Sequence, residues 1–205
     1  MTETLGRVGF IARFKPLHNG AIVLEEICKQ TGHLIIGIGS SNKYNLRNPF
    51  TAEESHGMID AYLKPRASNY SVIYVPDFGH IPCNEDGQKW RQYVKEHFGE
   101  LDAFLASNDY VAGLLSPDYK IIHPASFVPI EKQLKVRATE VRYEMATGGD
   151  WKSLVPPEVA QYLEQNKLVE RFRREFGLAT IAELSGREYW LSEDSAREKA
   201  NACER

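Results

Sequence analysis

Residues 5–30 constrain the chain most. An apolar run over 5–11, with Val8, Phe10 and Ile11 as its β-branched and aromatic members, passes through Ala12-Arg13-Phe14-Lys15-Pro16-Leu17-His18-Asn19-Gly20-Ala21 into the periodic run 22–30. That order reads as a buried strand, a basic turn and a helix. No acid stands between Glu3 and Glu25, so the turn carries uncompensated positive charge. Backbone N–H groups in the first turn of a helix lack intrahelical partners and the macrodipole adds positive potential, so Arg13, Lys15 and His18 can converge on one anion there. A phosphate suits such a turn, and Pro16 and Gly20 punctuate it.

The rest of the chain repeats the alternation. Residues 34–40, Leu34-Ile35-Ile36-Gly37-Ile38-Gly39-Ser40, form a continuous apolar run that suits a parallel strand buried on both faces. Gly39, Ser40 and Ser41 leave room for a ligand at its carboxyl end. Thr51 and Glu54 have capping-box spacing, which starts a helix running to about residue 63. A third strand at 72–76, an irregular segment at 77–87, a helix at 88–98, a strand at 101–107, a short helix at 109–115 and a strand at 119–123 follow. This pattern predicts an α/β fold, a doubly wound parallel sheet of Rossmann-like type with right-handed crossovers, whose ligands sit outside the carboxyl ends of the strands. The basic turn, Gly39-Ser40 and the 77–87 segment all fall at that edge.

Val136-Arg137-Ala138-Thr139-Glu140-Val141-Arg142 opens a further helix ending near Gly148-Gly149. Read with Thr139 as N-cap and Arg142 in the first turn, it offers a hydroxyl, backbone N–H groups and a guanidinium to a second phosphate position. From Asp150 onward the composition turns helical, and two helices near 159–163 and 168–176 form a C-terminal cap. Glu170, Arg171, Arg173, Arg174 and Glu175 read as its solvated, ion-paired face. The expected division is a domain over 1–177 and a polar helical tail over 178–205 with no assigned role.

A formal net charge of -3 with 26% charged residues gives no reason to expect nucleic-acid or membrane binding. Cys28, Cys83 and Cys203 are too scattered for a disulfide framework, and the histidines show no zinc-ligand spacing, so no metal site is expected. The absence of a membrane-length apolar run and of a signal-peptide layout leads us to expect a cytoplasmic protein.

The two anion-binding segments together carry a resemblance. Arg13, Pro16, His18 and Gly20 match the Arg-x-x-Pro-x-His-x-Gly-His signature of the nucleotidylyltransferase superfamily, with Ala21 where the second histidine stands. Thr139 and Arg142 match its Ser-x-Thr-x-x-Arg signature, with Arg137 in place of serine. Within the superfamily the chain most resembles the archaeal-type nicotinamide mononucleotide adenylyltransferases. The resemblance spans about 8–169 and includes Ile38-Gly39-Ser40, Asn48-Pro49-Phe50-Thr51-Ala52, Ser107-Asn108 and Gly149-Asp150-Trp151-Lys152-Ser153-Leu154. It implies transfer of an adenylyl group from ATP to nicotinamide mononucleotide, giving NAD and pyrophosphate. His18, Arg13 and Arg142 would be catalytic and, with Thr139, hold the triphosphate. Lys15, Gly20 and Ala21 would belong to the same nucleotide-binding turn, with Gly39, Ser40 and Asn108 near the adenosine or the acceptor. Ile81, Asn84 and Trp90 would form the nicotinamide pocket, with Arg47 nearby, since an indole gains dispersion and cation–π attraction on a pyridinium ring. Mg²⁺ would be bound through the ATP phosphates rather than by a protein cage. A homo-oligomer is the expected assembly.

Two other readings remain open from the residues. One is adenylyl or cytidylyl transfer to another phosphorylated small molecule, such as a pantetheine, flavin or polyol phosphate. The other is a catalytically weak nucleotide-binding protein, because Ala21 removes one hydrogen-bond donor, a loss on the order of 10²-fold in rate by analogy with other transition-state donors.

Overall fold

The computed structural model describes residues 5–79 and 83–185, with the backbone alone at Cys83 and Asn84. Five strands, β1 (Leu5–Ala12), β2 (Thr31–Gly39), β3 (Tyr70–Val75), β4 (Ala103–Leu105) and β5 (Ile121–Ile122), form one sheet in the order β3-β2-β1-β4-β5. Every neighbouring pair is parallel. Helices α1 (Ile22–Gln30) and α2 (Ala52–Leu63) carry the chain outward from β1 to β3. Helix α3 (Cys83–Phe98) returns it past β1 to β4, and α4 (Asp109–Leu115) leads to β5. The strand order therefore reverses between β1 and β4, which opens a crevice at their carboxyl ends.

Alternation along β2 explains why it reads as continuously apolar. Leu34, Ile36 and Ile38 enter the larger core with Leu24 and Ile27 of α1 and Met58 and Ile59 of α2. Ile35 enters the smaller one with Val94 and Phe98 of α3. On that side α3 lies close: a Cβ at Gly37 would fall 2.5 Å from Ile11 Cγ1 and 2.9 Å from Phe98 Cζ. Glycine at that strand position lets a helix-borne aromatic ring rest on the sheet.

Several boundaries differ from the sequence expectation. Helix α3 begins at Cys83 rather than 88, with Glu85 and Asp86 in its first turn, where they complement the macrodipole despite Gly87. Strands β4 and β5 are shorter than 101–107 and 119–123, since β5 pairs only through Phe104↔Ile121 and Leu105↔Ile122. The cap comprises α5 (Ala138–Thr147), α6 (Pro157–Gln165), α7 (Leu168–Phe172) and α8 (Leu178–Leu184). A π turn, Arg173–Gly177, joins α7 to α8 without a break. The expected solvated face of this segment is partly structural. Arg171 pairs with both carboxylate oxygens of Glu54 and donates to the Pro49 carbonyl, and Arg173 donates to the Met145 carbonyl at 2.7 Å. These bonds lash α7 and the π turn to α2 and α5.

Candidate active site

The β1–α1 turn owes its shape to local bonding. Gly20 N–H donates to His18 Nδ1 at 3.1 Å, and Ala21 N–H donates to the His18 carbonyl at 2.7 Å, making a single 3₁₀ turn over Asn19–Ala21 that leads into α1. A Cβ on residue 20 would lie 2.8 Å from His18 Cε1, so the folded-back ring requires glycine two positions on. Because Nδ1 accepts a hydrogen bond, the proton of the neutral ring sits on Nε2, which becomes a donor. Burial first, and the Arg142 guanidinium second, lower the His18 pKa to about 4. His18 is thus a neutral donor at physiological pH rather than a cation.

Lys15 behaves differently from the expectation of convergence on one anion. It is 1% exposed, and its ammonium donates to the Ser40 carbonyl at 2.9 Å and to that of Lys43 at 3.5 Å. Burial and then Arg13 lower its pKa to about 8. Phe14 before it (φ 53°) and Ser40 at the end of β2 (φ 51°) both adopt left-handed backbone. The turn is thereby fixed to the neighbouring strand end, where Ser40 Oγ donates to Asp77 Oδ2 at 3.3 Å and Asn42 exchanges two hydrogen bonds with the Asp77 backbone.

Helix α5 meets this turn from the far end of the chain. Its N-cap is Arg137, in extended conformation, whose carbonyl receives the Glu140 and Val141 N–H groups; Thr139 lies inside the first turn and is not the cap. The Thr139 hydroxyl instead accepts from Arg142 at 3.3 Å, and Arg142 donates to the Lys15 carbonyl at 2.9 Å. The second basic segment is therefore joined directly to the first.

Between them lies a cleft of about 600 Å³. Its walls bring together Arg13, Lys15, His18, Gly20, Ala21, Arg47, Thr139 and Arg142 of the expected residues. Gly39 and Ser40 do not line the cleft, the Ser40 carbonyl instead accepting from the Lys15 ammonium, and Asn108 caps α4 by accepting from Val111 N–H at 3.1 Å while its neighbour Ser107 lines the cleft. Trp90 packs, half-buried, with the α3 side of the core. Ile81 lies outside the described residues, as does the side chain of Asn84. Five cationic residues, Arg13, Lys15, Arg47, Arg137 and Arg142, line the cleft against one carboxylate, Glu183. A molecule of net charge -3 thus concentrates positive charge in its crevice, which is the field a polyphosphate requires. Among the described residues no three His, Cys, Asp or Glu side chains come together as a metal cage.

The sequence reading missed the wall formed by α8, which contributes Thr180, Glu183 and Leu184. Thr180 is 2% exposed and its hydroxyl has no hydrogen-bond partner among the described residues. The spacing of Ile181 and Leu184 signals a docked helix but not what it docks against.

No family model matches the chain. Curated relatives do. The chain is 34% identical over 187 residues to the nicotinamide-nucleotide adenylyltransferase of Thermococcus onnurineus, an alignment covering 87% of this chain and 91% of the relative. It is 34% identical to the Pyrococcus horikoshii enzyme of the same name, over 87% of this chain and 92% of that one. Among solved structures, a bifunctional NMN adenylyltransferase/ADP ribose pyrophosphatase from Francisella tularensis superposes with a TM-score of 0.69 at 20% identity, covering 91% of this chain and 56% of that protein. The fold is shared with that larger protein, of which this chain matches a part.

Proposed function

The chain belongs to the nicotinamide-nucleotide adenylyltransferase family, and from that premise we propose that it joins ATP to nicotinamide mononucleotide, forming NAD and releasing pyrophosphate. The observation that carries this reading is the cleft where two helix-opening segments, joined by the Arg142–Lys15 hydrogen bond across 127 residues of sequence, place Arg13, His18, Thr139 and Arg142 around one cavity.

The acceptor's phosphate attacks the α-phosphorus of ATP, and the bond to pyrophosphate breaks with its electron pair on the leaving oxygen. A phosphate monoester has its second pKa near 6, so the nucleophile is already ionised at neutral pH and needs no protein base. What the protein must supply is alignment and stabilisation of charge on the leaving group. Arg142 suits this task because Lys15 and Thr139 hold its guanidinium at the junction of the two segments. Neutral His18 can donate from Nε2 without the reorganisation that a change of charge would bring. The Lys15 ammonium acts by fixing the turn to β2. Mg²⁺ belongs to the substrate as MgATP, with phosphate oxygens and water as its ligands. We assign the nicotinamide ring to the amino end of α3, near Asn84 and Trp90, on the family resemblance.

A second reading has one observation in its favour. Ala21 is 5% exposed, lines the cleft and presents a methyl group where the family signature has a hydrogen-bonding ring. On that reading the protein binds ATP without turnover. Pyrophosphate release and NAD formation from MgATP and nicotinamide mononucleotide, measured beside ATP binding, separate the two. We expect turnover that falls at least a hundredfold in Arg142→Ala. Binding without turnover would favour the second reading, and turnover only with another phosphorylated acceptor would replace the nicotinamide assignment.

A further inference from the structure

Given the proposed adenylyl transfer, we infer that Arg137 is a catalytic residue which contacts the polyphosphate and provides the stabilisation that Ala21 cannot. Three features of the cleft lead to it. First, Ala21 offers no donor: its side chain is a methyl group and its N–H is already committed to the His18 carbonyl at 2.7 Å. Second, the neighbouring cation does not replace it, because the Lys15 ammonium is held by the Ser40 and Lys43 carbonyls. Third, Arg137 lines the same cleft at the amino end of α5, a ten-residue helix joined to the β1–α1 turn through Arg142.

The position is suited to the role. Arg137 caps α5 through its backbone carbonyl and makes no side-chain cap bond, so substituting the side chain leaves the cap in place. Its guanidinium adds planar, paired donors to a helix end whose first-turn N–H groups already favour anions. During transfer, charge accumulates on the oxygen between the α- and β-phosphorus atoms as that bond breaks, and a guanidinium that gains strength with this charge lowers the barrier more than it tightens ATP binding. The acceptor oxygen–phosphorus bond forms as the pyrophosphate bond breaks, with no net proton or redox change demanded of the protein.

The test is a cycle on the full chain: wild type, Arg137→Ser, Ala21→His and the double variant, with Arg137→Lys as the conservative control. Each is assayed for pyrophosphate release with MgATP and nicotinamide mononucleotide, and for affinity toward MgATP alone. Arg137→Ser should lower kcat at least tenfold with a smaller change in ATP affinity, Arg137→Lys should recover part of it, and the loss from Arg137→Ser should shrink severalfold when histidine occupies position 21. If Arg137→Ser turns over like wild type, or loses the same factor in both backgrounds, the inference is overturned. Should Ala21→His fail to fold, the Arg137→Ser, Arg137→Lys and wild-type comparison still decides whether the guanidinium acts in turnover. Silence of the wild type with this acceptor would count against the proposed reaction instead; ATP affinity unchanged in Arg137→Ser would then remove Arg137 from the polyphosphate site as well.

Discussion

At the scale of single residues, the cleft is governed by which groups are already occupied. Lys15 has the charge expected of a phosphate ligand, yet burial turns its ammonium toward two carbonyls and makes it a fastener. His18 has the opposite history: its Nδ1 is occupied by the Gly20 N–H, and that bond frees Nε2 for a ligand. The H-x-G spacing was legible in the sequence because ring and amide are two residues apart. The direction of the Lys15 side chain was not, since its partners lie 25 and 28 residues away. His18 also makes stability pH-dependent. Its folded pKa of about 4 is below the unfolded value of 6.5, so between these values the unfolded chain binds more protons and stability rises with pH. The contribution is fully present above 6.5 and is lost as pH falls through 4. Urea unfolding should therefore show wild type losing more stability from pH 7 to 4.5 than His18→Asn, which keeps an acceptor without the titration. Equal losses would show that His18 does not titrate this way.

At the scale of elements, the clearest sequence signal was a local one. Thr51 Oγ1 accepts from Glu54 N–H at 3.2 Å and Glu54 Oε2 accepts from Thr51 N–H at 2.9 Å, so the capping box at the start of α2 is complete. Glu54 also receives Arg171 from α7, 117 residues on, and no short-range pattern reveals that second use. Thr51→Ala should cost about 1 kcal/mol, the usual value of such a cap. Arg171→Ala should cost more, because it leaves Glu54 without its ion-pair partner and frees the cap from α2. Thermal or urea denaturation of the two single variants and the double variant checks this, and we expect non-additivity because both act through Glu54. Strict additivity would show that the two roles of the carboxylate are independent. Thr139 shows the same limit from the other side: its residue type favours capping, but the extended Arg137 backbone moved the start of α5 one residue ahead of it.

At the scale of the whole molecule, ligand binding and stability are linked because the cleft exists only when the two ends of the domain meet. Arg142 donates to the Lys15 carbonyl across 127 residues, and α8 closes the wall. ATP at about a hundredfold excess over its Kd should stabilise the fold by about 2.7 kcal/mol, which for a chain of this size raises Tm by roughly 5–10 °C. A thermal shift titration with MgATP reads this directly; Arg142→Ala should reduce the shift, and an unchanged shift would detach Arg142 from nucleotide binding. By itself the sequence determined the strand and helix alternation, the parallel α/β class and the two basic segments, because hydrophobic period, caps and turn residues act over a few positions. Tertiary structure alone decided that Lys15 faces β2, that Arg171 and Glu54 lock the cap, and that Thr180, Glu183 and Leu184 of α8 line the cleft beside Arg137. Those outcomes depend on which distant surfaces are brought within hydrogen-bond reach, and a contact of that kind leaves no periodic trace in either partner's own segment.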